Sequence, residues 1–174
     1  MKKILDTSEM SRTLKRMTHE ILEKNNGVSD IIFAGVVTRG VPIAARISKN
    51  IEQMENVKVQ TIPLDITRFR DDIDLKGESV YFSSKSSEYD VHDKTVIIVD
   101  DVMYTGRTAR AAMEAVLALG RPKRIQLLVL IDRGHRELPI KPDYVGKNIP
   151  TSRDERVMVK LFEEDGVDLV AIEE

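Results

Sequence analysis

The chain has 174 residues, 41% hydrophobic and 32% charged, which is typical of a soluble domain with one core. Its formal net charge of −2 excludes a globally basic nucleic-acid-binding protein, so any nucleic-acid contact requires a local basic patch. The absence of cysteine excludes disulfides and thiolate metal sites. No apolar stretch has the character of a signal peptide or the ~18 residues of a membrane span, so we expect a cytoplasmic protein without a membrane partner.

The first predicted element is an amphipathic helix from about Ser8 to Lys24. Apolar residues recur along it at the spacing of one helix face. They are Met10, Leu14, Met17 and Ile21. The residues at 25–27, Asn-Asn-Gly, are typical of a helix end.

Strands and helices then alternate. Near-continuous apolar runs such as IIFAGVV at 31–37 are typical of strands buried on both faces. The further predicted elements are strands at 31–37, 57–66, 95–99 and 125–131 and helices at 41–54 and 108–119. This order predicts an α/β fold with a parallel sheet covered on both faces. Ligands bind at the carboxyl ends of such strands, where the segments 38–40, 68–93, 100–108 and 132–139 lie.

The segment 96–108, VIIVDDVMYTGRT, indicates the chemistry most directly. Its buried strand ends in adjacent carboxylates, Asp100 and Asp101, which repel each other unless a cation or a hydrogen-bond donor meets them. A ribose diol or a Mg²⁺ ion does so. The residues 105–108 then open a helix whose free N–H groups, hydroxyls and guanidinium suit a phosphate monoester. The segment therefore predicts a ribose 5-phosphate site; the alternative is that these residues only cap a loop and a helix.

This segment resembles the phosphoribosyl-diphosphate-binding motif of type I phosphoribosyltransferases. Three segments together, DDVMYTGRTAR at 100–110, DRGHRELP at 132–139 and GKNIPTS at 146–152, resemble the PyrR family of pyrimidine-operon attenuators and uracil phosphoribosyltransferases. The resemblance covers almost the whole chain. It implies one domain, 1–174, with the type I phosphoribosyltransferase fold, a mostly parallel sheet flanked by helices with a flexible hood loop at about 68–93.

The resemblance implies catalytic roles for Asp100, Asp101 and Arg39. The two acids hold the ribose hydroxyls, directly or through Mg²⁺, and the loop at 38–40 receives pyrophosphate, with a cis peptide expected between Thr38 and Arg39. An ordinary tight turn is the alternative for this loop. The expected substrate-binding residues are Thr38, Arg39, Gly40, Asp100, Asp101, Val102, Met103, Tyr104, Thr105, Gly106, Arg107, Thr108, Asp132, Arg133, Tyr144 and Val145.

Two segments are expected to complete the site. Arg68 and Arg70 of the hood would reach pyrophosphate oxygens when the loop closes and excludes water, although a charged loop is often simply solvated. Tyr144 would stack on the base and Val145 would pair with it; a core tyrosine is the alternative. Tyr104 stands where many purine enzymes of the superfamily have an aspartate, which favours a pyrimidine base and leaves the proton acceptor unnamed.

A basic face is predicted on the first helix, because its cationic residues lie three or four positions apart. The resemblance assigns these residues, with a second set near 135–147, to binding a hairpin in messenger RNA. The expected RNA-binding residues are Arg12, Lys15, Arg16, His19, His135, Arg136 and Lys147. A plain solvated surface is the alternative.

The predicted reaction converts uracil and phosphoribosyl diphosphate to UMP and pyrophosphate with Mg²⁺. Uridine nucleotides, UMP or UTP, in the same site would favour RNA binding and terminate transcription of pyrimidine genes. Three alternatives remain open: a salvage enzyme alone, an RNA regulator with feeble turnover, and a purine-specific transferase. A homo-oligomer, a dimer or larger, is expected from the resemblance.

Overall fold

The computed structural model describes residues 1–71 and 89–174, so residues 72–88 of the predicted hood lie outside the described part of the chain. In chain order the elements are β1 (Lys2–Leu5), α1 (Thr7–Asn25), β2 (Ile31–Val36), α2 (Gly40–Glu55), β3 (Gln60–Leu64), a short 3-10 helix (Thr67–Phe69), β4 (Thr95–Met103), α3 (Arg107–Leu119), β5 (Arg124–Asp132), β6 (Tyr144–Asn148), β7 (Arg156–Lys160), α4 (Phe162–Asp165) and β8 (Leu169–Glu173).

A five-stranded parallel sheet forms the centre, in the order β3-β2-β4-β5-β6. Alternate residues of its strands face opposite layers. Phe33 and Ile97 pack with α1 and α2 on one face, while Ala34 and Ile98 pack with α3 on the other. The predicted α/β architecture with helices on both faces is confirmed.

A second sheet, antiparallel and in the order β1-β8-β7, was not predicted. Its strands are short and mix charged with apolar residues, as in KKIL and RVMVK. This sheet leads into α4, so it brings the last part of the chain close to the N-terminus of α2, where Arg39 meets Asp165.

The bounds of the first helix agree with the prediction, whereas the strand that begins at residue 95 is longer than predicted. The first helix is confirmed, with a capping box in which Asp6 and Glu9 bond each other's backbone N–H. The predicted end of the strand at 95–99 is wrong, because β4 continues to Met103. Strand β5 extends equally far and pairs Met103 with Asp132, so the two acids occupy the end of a strand rather than a loop.

None of the helices in the described ranges, 1–71 and 89–174, has both the length and the apolar character needed to cross a membrane.

Candidate functional site

Two adjoining cavities open at the carboxyl ends of β2 and β4. One, of about 290 Å³, is lined by residues 102–109 together with Glu137. The other, of about 500 Å³, is lined by residues 36–39, 65–67 and Asp101. Four residues line both: Arg70, Asp100, Val102 and Thr108. The fold therefore brings the acids, the loop at 38–40, the loop at 105–108 and Arg70 around one continuous depression.

Asp100 and Asp101 lie at the junction of these cavities. Asp100 Oδ1 accepts the N–H of Asp101 at 2.9 Å, and Asp101 Oδ1 accepts the N–H of Val102 at 2.9 Å. Burial, and then the charge of Asp101, raises the pKa of Asp100 well above its usual range. A buried acid of this kind becomes fully ionised only when positive charge or donors enter the site.

The segment after β4 forms an anion cradle. Gly106 has a φ of +95°, a conformation that L side chains rarely adopt, and it begins α3. The first backbone bond of the helix is Arg110 N–H to Gly106 O, while Thr105 Oγ1 accepts the N–H of Arg107 at 3.3 Å. The N–H groups of the first turn thus face the smaller cavity with the positive end of the helix dipole.

The side chain of Arg107 lies across this cradle. It donates to Asp71 at 2.8 Å and to Glu137 at 3.2 Å. These exposed pairs are weak and exchangeable, so a doubly charged phosphate is able to compete for the guanidinium. Glu137 lines the cavity but was not predicted, because no local pattern indicates that residue 137 folds back onto the loop, where its N–H bonds Thr105 O at 2.9 Å.

The loop at 38–40 is packed tightly against the sheet. A Cβ on Gly40 would overlap the carbonyl oxygen of Val99, and one on Gly35 would lie 2.7 Å from Gly40 O. The loop therefore sits directly beside the strand that carries the acids. A cis peptide is present, but between Val37 and Thr38, so the predicted position between Thr38 and Arg39 is wrong by one residue.

Arg39 and the two hood arginines differ in position. Arg39 and Arg70 both line the larger cavity with Thr38. Arg68 lies in the 3-10 helix, with its guanidinium carbon 5.3 Å from the ring centroid of Phe69. Arg110 holds the start of the hood by donating to Phe69 O at 3.0 Å.

Asp132 and Arg133 lie at the end of β5, beside the end of β4, but they line a separate cavity of about 490 Å³. Arg133 is only 8% exposed and donates to Thr151 Oγ1 at 3.1 Å and to the carbonyls of Ser152 and Glu155. Its guanidinium carbon lies 4.1 Å from the ring centroid of Tyr104. Burial opposes ionisation of Asp132, but hydrogen bonds from Arg136 and the Gly134 N–H lower its pKa overall.

The predicted base-stacking role of Tyr144 is wrong. Tyr144 is 2% exposed and begins β6, opposite Leu128, four residues before the carboxyl end. Its hydroxyl donates to Gln126 at 2.7 Å and accepts from Asn25 at 3.0 Å, so it is a core tyrosine. Val145 lies opposite Val129, which lines the smaller cavity, so its pairing with the base stays a prediction.

The fold brings the predicted RNA-binding residues to one side of the molecule. Helix α1 runs antiparallel to β6, because Asn25 reaches Tyr144 while Arg16 donates to Gly146 O. Lys147 follows and is exposed, and the turn with His135 leaves the neighbouring strand. The exposed residues of the α1 face are Arg12, Lys15, Arg16 and His19.

The two members from the turn after β5 have partners within the protein, as Arg16 has in Glu20 and Gly146. Arg136 donates to both carboxylate oxygens of Asp132, to Tyr104 O at 3.0 Å and to Ile140 O at 2.9 Å. His135 bonds Thr151 O through Nε2, and its ring meets Tyr104 edge to face at 5.9 Å. Both residues therefore join the turn at 134–136 to the loop that carries the anion cradle.

The donor set also fits a divalent cation delivered with a phosphorylated substrate. No group of three or more His, Asp or Glu side chains suited to a metal occurs within 1–71 and 89–174. Mg²⁺ characteristically takes one or two carboxylates and completes its octahedron with waters and substrate phosphates. Asp100 and Asp101, whose charges repel each other, match that requirement.

The family model for the phosphoribosyl transferase domain matches residues 1–163. Curated relatives named "Bifunctional protein PyrR" match nearly the whole chain. The protein of Clostridioides difficile strain 630 is 53% identical over 171 residues, covering 98% of this chain and 97% of the relative. That of Clostridium novyi strain NT is 56% identical over 169 residues, covering 97% and 95%.

Solved structures share the fold at low identity. Hypoxanthine phosphoribosyltransferase from Trypanosoma cruzi, in complex with the product IMP, has a TM-score of 0.72 at 20% identity, covering 98% of this chain and 89% of that one. A hypoxanthine-guanine phosphoribosyltransferase from Bacillus anthracis has a TM-score of 0.72 at 17% identity, covering 99% and 98%. These likenesses show the type I phosphoribosyltransferase fold.

Proposed function

We propose a function from one premise: the chain belongs to the PyrR family of phosphoribosyl transferase domain proteins. It is a uracil phosphoribosyltransferase that forms UMP and pyrophosphate from uracil and phosphoribosyl diphosphate. It is also an RNA-binding attenuator of pyrimidine biosynthesis genes that responds to uridine nucleotides. The observation that carries the enzymatic part is the pair of acids between an anion cradle and a second cationic loop.

The two cavities bind different parts of phosphoribosyl diphosphate. The 5-phosphate lies in the cradle of Thr105 to Thr108, where backbone N–H groups and the helix dipole bind it. The ribose hydroxyls bond Asp100 and Asp101. The pyrophosphate lies in the larger cavity, against Thr38 and Arg39. This arrangement stretches the sugar across the junction, with its anomeric carbon between base and leaving group.

Catalysis then rests on charge and position. The anomeric carbon becomes cationic as the bond to pyrophosphate breaks, and the half-buried carboxylates of Asp100 and Asp101 stabilise that charge most strongly in the transition state. Arg39 and Arg70 neutralise the charge that grows on the pyrophosphate. Mg²⁺, held by Asp100 and Asp101 together with the substrate, supplies further neutralisation of the leaving group when it is bound.

The base is proposed to enter beside the ends of β4 and β5. Val102 and Tyr104 line the smaller cavity, and Arg133, which lines a separate cavity with Asp132, packs against the ring of Tyr104. Tyr104 occupies the position before the Thr-Gly turn and its ring is packed on Arg133. A side chain of that size favours a one-ring base over a purine.

RNA is proposed to bind the side formed by the exposed face of α1 and the end of β6. This basic surface suits a phosphate backbone although the net charge is −2. Arg12, Lys15, His19 and Lys147 are exposed there. A dimer or larger homo-oligomer is proposed as well. Light scattering on the protein as it elutes from a size-exclusion column measures its molar mass directly.

The enzymatic proposal is tested by measuring UMP formation from uracil and phosphoribosyl diphosphate with Mg²⁺, using hypoxanthine as the control base. We expect turnover with uracil that is abolished by chelation, and at least a hundredfold lower kcat/KM with hypoxanthine, on the order of what a mismatched pocket produces. Equal turnover of both bases would remove the pyrimidine assignment. Nucleotide binding without measurable turnover of either base would leave only the regulator.

A further inference from the structure

The guanidinium of Arg39 is joined to a residue far away in the chain. Its Nη2 donates to Asp165 Oδ1 at 2.9 Å, across 126 residues of sequence. The other carboxylate oxygen, Asp165 Oδ2, accepts the N–H of Leu161 at 2.9 Å. The bond from Leu161 and then that from Arg39 lower the pKa of Asp165, so this carboxylate is a fixed anion at neutral pH.

The segment that carries Asp165 is itself anchored to α2. Arg46 lies seven residues beyond Arg39 and so on the same side of the helix. It donates to Glu163 at 2.8 Å and to Asp168 at 2.7 Å, and Asp168 also accepts the N–H of Phe162. The position of Asp165 is therefore held by contacts that do not involve the cavity.

Arg39 retains donors for a ligand. Its Nε is buried and has no hydrogen-bond partner within residues 1–71 and 89–174. The residue lines the 500 Å³ cavity with Thr38, Asp100 and Asp101. A buried donor without an acceptor is costly, and an oxygen of a bound anion would remove that cost.

We infer that Asp165 is a positioning residue for the transfer reaction, which rests on the pyrophosphate role proposed above for Arg39. By holding one nitrogen, Asp165 fixes the plane of a rigid guanidinium and leaves its other donors directed to the pyrophosphate. The arginine then loses less conformational freedom when the substrate binds.

The test compares Asp165→Asn with Glu164→Gln, which removes a charge from an exposed position of the same segment and leaves the bonds of Arg39 and Arg46 in place. For Asp165→Asn we expect KM for phosphoribosyl diphosphate, and for pyrophosphate in the reverse reaction, to rise roughly tenfold. KM for uracil should stay at the wild-type value. Asp165→Glu should recover part of the loss. Glu164→Gln should leave KM for phosphoribosyl diphosphate and KM for pyrophosphate unchanged.

The variant Arg39→Gln distinguishes the positioning role of Asp165 from the pyrophosphate-binding role of Arg39 on which it depends. If Arg39→Gln leaves KM for phosphoribosyl diphosphate at the wild-type value, the role of Arg39 itself fails. If Arg39→Gln raises KM and Asp165→Asn does not, only the positioning role fails. A lowered KM in Asp165→Asn would overturn it too, since Asp165 would then compete with the substrate. In the double variant that carries both Arg39→Gln and Asp165→Asn, we expect KM for phosphoribosyl diphosphate to be no higher than in Arg39→Gln alone. If the effects of the two substitutions on KM are fully additive, Asp165 does not act through Arg39.

Discussion

The catalytic role proposed for Asp100 conflicts with the stability of the protein without substrate. Its carboxyl is buried beside Asp101, and its pKa is raised, so the native state binds a proton more tightly than the unfolded chain does. The free energy of unfolding therefore falls as the pH rises from the usual carboxyl range through the raised pKa. Below that range both states are protonated and the effect vanishes.

Asp100→Asn should for this reason stabilise the empty enzyme while inactivating it. With chelator and without substrate, we expect a higher thermal midpoint than wild type at neutral pH, with a difference that shrinks as the pH falls. We expect kcat/KM to drop about 10²–10³-fold. Asp90→Asn, at an exposed acid, is the control. A variant that is less stable than wild type at every pH would contradict the electrostatic account.

Tyr144 shows why a residue pattern alone misplaces a side chain. The resemblance to related phosphoribosyltransferases implied base stacking for Tyr144, with a core tyrosine as the alternative, and the start of β6 could not be located from the sequence. The same residue type therefore fitted a core position and a site position equally well, and only the register with Leu128 separates them.

Tyr144→Phe should cost about 1–2 kcal/mol in the free energy of unfolding, because Gln126 and Asn25 lose a buried partner. Tyr144→Leu tests the stacking role directly. We expect KM for uracil to be unchanged in whatever fraction of this variant is folded. Urea unfolding and initial-rate kinetics measure the two effects, and a selective rise in KM for uracil would restore the base-stacking interpretation.

Among the elements, the buried parallel strands were predictable and the peripheral ones were not. Strands β2, β4 and β5 are covered on both faces, so they read as continuous apolar runs. Strands β1, β7 and β8 have mixed patterns, and their pairing joins residues from both ends of the chain. Asp165 was missed for that reason: its relevance follows from a contact that no local pattern encodes.

The loop between β2 and α2 depends on the lack of a side chain at Gly40. A methyl group there meets the Val99 carbonyl, which belongs to the strand that presents the acids. We expect Gly40→Ala to reduce kcat/KM at least a hundredfold, since displacements of about 1 Å have effects of that order. Val41→Ala, at the neighbouring and partly exposed position, should remain active. Near-normal activity of Gly40→Ala would show that the loop position matters little.

At the scale of the whole molecule, the basic surface exists only after folding. The residues come from α1, from β6 and from the turn after β5, and the composition shows an acidic protein. The turn also connects this surface to the nucleotide site. Arg136 bonds Tyr104 O, and the N–H groups of Glu137 and Leu138 both bond Thr105 O. A nucleotide phosphate bound in the proposed cradle and an RNA bound on the proposed surface would therefore contact adjoining backbone segments.

Lys147→Gln should separate the two activities. Lys147 is exposed on the basic surface and lines neither cavity of the nucleotide site. We expect weaker binding to all RNA sequences, a salt dependence of log K that is shallower by about 0.7–0.9, and unchanged transferase kinetics. Lys58→Gln, on the opposite edge of the sheet, is the control. Loss of transferase activity with intact RNA binding would reverse the assignment.

The regulatory claim is tested most directly by titrating the protein with its operon leader hairpin, with and without UMP, against a scrambled hairpin. Because linkage is reciprocal, a nucleotide that favours the RNA-binding form must tighten RNA binding by the same factor as RNA tightens nucleotide binding. We predict that UMP strengthens binding to the true hairpin roughly 5- to 150-fold and leaves the scrambled one unaffected. Equal affinity for both hairpins, with or without UMP, would contradict the attenuator function and leave the transferase alone.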